Sequence, residues 1–244
     1  MNIYKKLIIF SLVYFLLFQG NIISVDSGIN VYFIPKQRKE FKKVLDKHFN
    51  ELKSGDKLFI ASYCISDSCF VNKLIELRKS GIEIRIIYDG TTNSAKSLTK
   101  KLLKNDIVPA VWNFLDGKRG LMHNKFILFK NYAITGSANY TAQVLNSSGS
   151  KRNYENVLII NSEEVSKLYQ DQFLEIERNI FRSYIANIID ANLGVKELPD
   201  LFVLLIKNQY SKNDRFRQFI DYLPADKSEI VNNYIKFLLN DLVL

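Results

Sequence analysis

Apolar and polar positions recur with two different periods along the first half of this chain. Val31 to Ile34 form a short apolar run closed by Pro35, which predicts a strand. Over residues 38–53 the period lengthens. Phe41, Val44, Leu45, Phe49 and Leu52 fall on one helical face, and Lys53-Ser54-Gly55-Asp56 stops the helix. Leu58 to Tyr63 predicts a second strand, and residues 68–80 a second helix ended by Gly81. Ile82, Ile84, Ile86 and Ile87 give a strand running to Asp89-Gly90. Residues 94–105 are expected to be helical, and Ile107 to Trp112 to return as a strand. Strands and helices alternating through short connections predict an α/β layered domain.

Past Trp112 the rhythm changes. Lys125–Phe129 and Tyr132–Thr135 are two closely spaced strands, and Val157–Ile160 is another, followed by a long helix over about 163–181. Residues 183–244 predict several more helices, broken near Gly194, Pro199 and Pro224. The chain thus divides into a core over 28–182 and a helical extension over 183–244.

Residues 1–27 stand apart. Lys5 and Lys6 precede an apolar run from Leu7 to Phe18 broken only by Ser11, and small residues follow at Ser24 and Ser27. That order fits an export signal, so the protein is expected in the periplasm or outside the cell. The alternative is an uncleaved N-terminal anchor with membrane association, although the apolar core is short against the ~20 residues of a spanning helix.

Charge sharpens the division. Without residues 1–27 the chain carries 32 basic and 24 acidic side chains. The extension over 183–244 holds seven basic and eight acidic residues, so the excess lies in residues 28–182, with 25 against 16. A basic excess confined to one part favours a polyanionic partner, either nucleic acid or an anionic membrane. Hydrophobic residues at 47% and charged residues at 24% exclude a disordered or fibrous chain. The two cysteines, Cys64 and Cys69, lack the spacing and neighbours of a zinc site, and their pairing in a disulfide is left open.

The chemistry gathers around one of the two histidines. His48 lies in a basic helical run and is expected to be a surface residue, whereas His123 stands two residues before Lys125 at the start of an apolar strand. Residues two apart on a strand share a face, so imidazole and ammonium project together. Gly136-Ser137-Ala138-Asn139 follows the next strand, and Asn153-Tyr154-Glu155-Asn156 opens another. Gly136 permits a tight backbone approach, while Ser137 and Asn139 offer neutral donors. An imidazole, an ammonium and such donors around one point can hold a phosphodiester and attack its phosphorus.

These motifs resemble the phospholipase D superfamily signature, in which His-x-Lys is followed by an Asp and then by Gly-Ser-x-Asn. His123, Lys125, Gly136, Ser137 and Asn139 match it, and Asn153-x-Glu155-Asn156 resembles the element that follows in small single-motif members. Two departures stand out. Lys130 occupies the Asp position, and the span from His123 to Gly136 is one residue short. The resemblance implies a mixed β-sheet flanked by helices, a homodimer, and a phosphodiesterase needing no metal or cofactor. It makes His123 the nucleophile, Lys125 and Asn139 the holders of the phosphoryl oxygens, and Glu155 the residue that orients His123. Ser137, Gly136 and Asn153 are expected to support the substrate. Lys118 and Arg119, with Lys151 and Arg152, are expected to grip backbone phosphates from nearby loops. Nucleic acid is the leading substrate, membrane phospholipid the runner-up. A protein that binds phosphodiesters without turnover is the third reading, supported by Lys130 alone.

Overall fold

The alternating half of the sequence builds the parallel part of one sheet, and the later strands extend it as a meander. In a computed structural model, residues 28–115, 120–146 and 153–240 are described. The signal or anchor expected at 1–27, and Lys118, Arg119, Lys151 and Arg152, lie outside the described residues. The strands are β1 (Ile29–Ile34), β2 (Lys57–Ser62), β3 (Glu83–Asp89), β4 (Ala110–Trp112), β5 (Lys125–Leu128), β6 (Ala133–Gly136) and β7 (Glu155–Ile160). They form a seven-stranded sheet in the order β1-β7-β6-β5-β2-β3-β4. β2, β3 and β4 run parallel, and the other pairs, including β2 with β5, are antiparallel.

Helices α1 (Arg38–Glu51), α2 (Ser68–Lys79) and α3 (Ala95–Leu103) form one layer against this sheet. α1 buries Phe41, Leu45 and Phe49, the stripe its spacing predicts. Phe49 of α1 meets Phe70 of α2, with ring centroids 6.0 Å apart. Asp67 caps α2 by accepting from the Phe70 amide at 2.7 Å, and Gly81 ends the turn beyond it at φ 88°. The long α5 (Glu163–Asn192) covers the other face, where Phe173 packs edge-on against Phe59 of β2 and Tyr169 against Phe126 of β5. A short α4 (Ala142–Leu145) precedes β7, and α6 (Asp200–Lys212), α7 (Asp214–Asp221) and α8 (Ala225–Asn240) complete the chain. The fold is therefore the expected α/β class, with a C-terminal helical extension. Among the described residues, no helix is long and apolar enough to cross a membrane.

Three expectations change, and the open question of the cysteines is answered. The helix begun at Glu163 continues to Asn192, because Tyr184, Ile185 and Ile188 carry its buried stripe onward and no breaker stands before Gly194. Residue 182 thus lies inside one unbroken helix shared by core and extension. β4 begins at Ala110 instead of Ile107, since Pro109 has no amide to give the ladder. His48 is packed, not free on the surface. Its ring lies 4.2 Å from that of Tyr132 and 5.7 Å from that of Phe129, and Nδ1 is 3.1 Å from Glu51 Oε2. Cys64 and Cys69 are both free thiols, Cys64 half-buried and Cys69 exposed.

β4 is an edge strand only in the ladder. The Val111 amide donates to Tyr184 Oη at 2.7 Å, and that hydroxyl lies 3.3 Å from Val111 O. The buried Gln209 of α6 donates from Nε2 to Pro109 O at 2.8 Å. Side chains from α5 and α6 thus satisfy backbone groups that the sheet leaves unpaired.

An ion-pair cluster joins the extension to the core at the strands' opposite end. Glu177 of α5 is buried and accepts from Arg85 Nη2 at 2.5 Å and Arg215 Nε at 2.9 Å. The Arg85 guanidinium also lies over the rings of Phe59 and Phe173. One buried carboxylate thus faces two cations, which limits the cost of taking it out of water.

Candidate active site

The site lies where β2, β3 and β4 end and β5 begins. Register sets Ser62 of β2 opposite Lys125 of β5, and the Tyr63 amide extends the pairing by donating to Asn124 O at 2.9 Å. That pairing brings Tyr63 and Cys64 beside His123 and Lys125. The His123 imidazole is exposed and leans on Tyr63, with ring centroids 4.9 Å apart.

Lys125 is only 7% exposed, unlike the histidine beside it. Its ammonium folds back to donate to His123 O at 2.8 Å and sits 5.6 Å from the centre of the Tyr63 ring. Burial lowers its pKa from the usual 10.5, and the nearby Glu155 and Cys64 work in the opposite direction. The two residues are thus tied together with the cation beneath the imidazole's backbone.

Gly136 ends β6 at φ 149°, and a Cβ there would lie 2.2 Å from Asn156 O. This close approach lets Ser137 and Asn156 lock together. The Ser137 amide donates to Asn156 Oδ1 at 3.0 Å and to Asn156 O at 3.1 Å, while the Asn156 amide donates to Ser137 Oγ at 3.0 Å. Ser137 Oγ in turn donates to Glu155 Oε2. Asn139 reaches the opposite side of the site and accepts from the Cys64 amide at 3.2 Å.

His123, Lys125, Gly136, Ser137, Asn139 and Glu155 therefore meet at one end of the sheet. Within this constellation, the hydrogen bond from Ser137 occupies Glu155 Oε2, the carboxylate expected to orient His123. Asn153 is exposed ahead of β7, and no hydrogen bond joins it to the other described site residues. Lys130 stands beyond β5 in the turn towards β6, at the far end of the strand from His123. It lines a cleft of about 510 Å³ there, together with Lys57 and Lys167. Among the described residues, no group of three or more His, Cys, Asp or Glu is placed to hold a metal.

Sequence reasoning missed the device that holds the segment leading to His123. Asp89, fully buried at the end of β3, accepts from the Met122 amide through Oδ2 at 2.9 Å. Its Oδ1 accepts from the Thr91 amide and hydroxyl at 2.9 and 2.6 Å. Trp112 Nε1 and Asn113 Nδ2 both donate to Gly120 O, at 2.6 and 3.3 Å. The available signal was an acid at the carboxyl end of a parallel strand, where open α/β sheets place their sites.

Residues 36–177 match the family model described as "Cardiolipin synthase, PLD-like domain". The protein named phospholipase D from Rickettsia conorii is 30% identical over 123 residues, which are 50% of this chain and 58% of that protein. The chain thus spans little more than half the length of that relative. Among solved structures, Nuc from Salmonella typhimurium, described as a phospholipase D family member, is 17% identical with a TM-score of 0.49, covering 60% of this chain and 91% of Nuc. NucT from Helicobacter pylori is also 17% identical with a TM-score of 0.48, covering 60% of this chain and 93% of NucT. With more than half of its residues matched by the family model, and with the mixed sheet and flanking helices described above, the chain belongs to the phospholipase D superfamily.

Proposed function

We propose that this protein is a metal-independent phosphodiesterase that cleaves nucleic acid through a phosphohistidine, with two copies of the chain facing each other. One observation carries the reading: an exposed imidazole is held directly beside a buried lysine, with Asn139 fixed by the Cys64 amide at the same end of the sheet. The basic excess in residues 28–182 supports a polyanionic substrate. The order of residues 1–27 supports an exported protein, released or anchored.

A nitrogen of His123 attacks phosphorus, and the bond from phosphorus to the leaving oxygen breaks. A second, protonated imidazole gives that oxygen its proton. The same imidazole then takes a proton from water as the water attacks phosphorus, and the P–N bond breaks to restore His123. Histidine suits both tasks because its charge changes near neutral pH. The chain's other histidine, His48, packs at a tilt against Phe129 and Tyr132 beyond the far end of β5, so the second imidazole is assigned to His123 of another copy. Lys125 and Asn139 hold the non-bridging oxygens as charge builds on them. Glu155 acts on the site through Ser137 Oγ. Lys130 stands at the far end of β5 from His123, and a protein that binds phosphodiesters without turnover is the reading its replacement of the motif Asp supports.

Cleavage of single- and double-stranded DNA and RNA in excess chelator, compared with His123→Ala, tests this reading. Chelator-resistant cleavage lost in the variant supports it, and absence of cleavage of all four by the parent overturns it for nucleic acid. A second substrate class has support from the Rickettsia conorii relative, which is named phospholipase D. Release of headgroup from phospholipid vesicles, again lost in His123→Ala, would select it.

A further inference from the structure

The two helical layers that enclose the sheet carry opposite charge. Helices α1, α2 and α3 hold eleven basic and four acidic side chains, a net +7, and α3 has no acid at all. α5, on the other face, holds three basic and six acidic side chains, a net −3. The three basic helices lie side by side. Lys73 of α2 donates to Asn50 of α1 at 3.0 Å, and Lys101 of α3 donates to Asn72 of α2 at 2.8 Å. Their outer surfaces thus form one continuous face.

Much of that charge is unanswered. Lys39, Lys43, Lys79, Lys96, Lys100 and Lys104 are exposed, and none of their side chains has a hydrogen bond or ion pair with a described residue. Lys39 and Lys43, like Lys96 and Lys100, stand four apart on their helices, an arrangement that costs a helix stability when both charges are alike. An external polyanion would relieve that repulsion.

We propose that the outer face of the α1–α2–α3 layer is an accessory docking surface for the phosphate backbone of nucleic acid, which it leads over the strand ends to His123. This deepens the reading above and rests on it for the substrate class. Continuity with the site supports the path. At the upper end of α1, Arg38 Nε donates to Val144 O at 2.8 Å and Lys42 Nζ to Asn146 Oδ1 at 3.4 Å. The segment they hold, α4 and Asn146, begins three residues beyond Asn139. The composition of the face favours a polymer over a bilayer. None of the exposed large hydrophobic residues lies on α1, α2 or α3, so nothing is available to insert among lipid chains. The face also flanks the strands instead of capping their ends, so a flexible strand can bend from it to the site, whereas a flat membrane lying on it would leave His123 to one side.

The test uses the full chain carrying His123→Ala, so that bound oligonucleotide stays intact, with and without Lys39→Glu, Lys43→Glu, Lys96→Glu and Lys100→Glu together. Binding of a long single-stranded oligonucleotide is measured between 50 and 200 mM salt, alongside binding to vesicles of anionic phospholipid. Four phosphate contacts at about 0.7 each steepen the salt slope by nearly 3, so the unreversed protein should lose ~50-fold more affinity over that range than the reversed one. A Lys→Gln version of the four changes guards against misfolding and should lower the slope in the same direction. Equal slopes for reversed and unreversed proteins overturn the proposal. So does a loss confined to vesicle binding, which would assign the face to a membrane. If the slope falls as expected but the parent cleaves no nucleic acid, the docking surface stands and the nuclease reading alone fails.

Discussion

Replacing Gly136 by alanine gives the sharpest test of how the site is assembled. The new Cβ would lie 2.2 Å from Asn156 O and 3.0 Å from Val157 Cα, all backbone that cannot rotate away. An ordinary carbon–oxygen approach is about 3.3 Å, so β6 and β7 must part by ~1 Å at this point. The movement falls on the hydrogen bonds joining Ser137 to Asn156, at 3.0, 3.0 and 3.1 Å, and takes all three beyond bonding distance. At ~0.5–1.5 kcal/mol for each bond, the loss is about 1.5–4.5 kcal/mol. The φ of 149° adds strain, since it lies where side chains are rarely accommodated. A melt followed by circular dichroism should therefore show Tm lowered by roughly 5–14 °C, taking about 3 °C per kcal/mol for a chain of this size. Phosphodiesterase activity should fall even at temperatures where the variant stays folded, because Ser137 also carries the contact to Glu155. A variant that melts with the parent and keeps its activity would refute this account of the β6–β7 junction.

Two further predictions concern the same constellation. If Glu155 acts through Ser137, then Ser137→Ala and Glu155→Gln should not add: a double-mutant cycle on kcat should give a coupling of about 0.5–3 kcal/mol, and a coupling near zero would separate the two roles. Lys125 loses protons more readily in the folded chain than in the unfolded one, so the unfolded state binds more protons between its lowered pKa and 10.5. Parent stability relative to Lys125→Met should therefore rise with pH through that window, read as a widening Tm difference in the parent's favour; a difference independent of pH would argue against a desolvated ammonium.

The elements most legible in the sequence were those whose pattern is one-sided and firmly ended. α1 shows its Phe41-Leu45-Phe49 stripe and α2 stops at Gly81. The extent of α5 was hidden because its buried stripe continues past residue 182 with nothing to interrupt it. The site was legible where chemistry and spacing coincide, as in His123-x-Lys125 and Gly136-Ser137-x-Asn139. Its supports were not, for a physical reason. Asp89 reads in the sequence as a turn residue before Gly90, and its bond to Met122 exists only because the sheet brings together segments 33 residues apart. Tyr63 and Cys64 likewise join the site only through the antiparallel register of β2 with β5. The burial of Lys125 beside an exposed His123 also escapes a simple two-residue period, because His123 precedes the regular strand.

The closing of β4 by Tyr184 and Gln209 has a consequence for the order in which the protein can become competent. These contacts span 73 and 100 residues, so a ribosome delivers their partners long after β4 itself. Until Gln209 has been made, the Pro109 carbonyl, just ahead of the strand that runs into the Trp112 and Asn113 clamp on Gly120, lacks its donor. A growing or clipped chain can thus contain every residue of the histidine motif while this edge of the sheet still lacks its helical partners. The late helices thus supply the last partners for the backbone at this edge of the sheet.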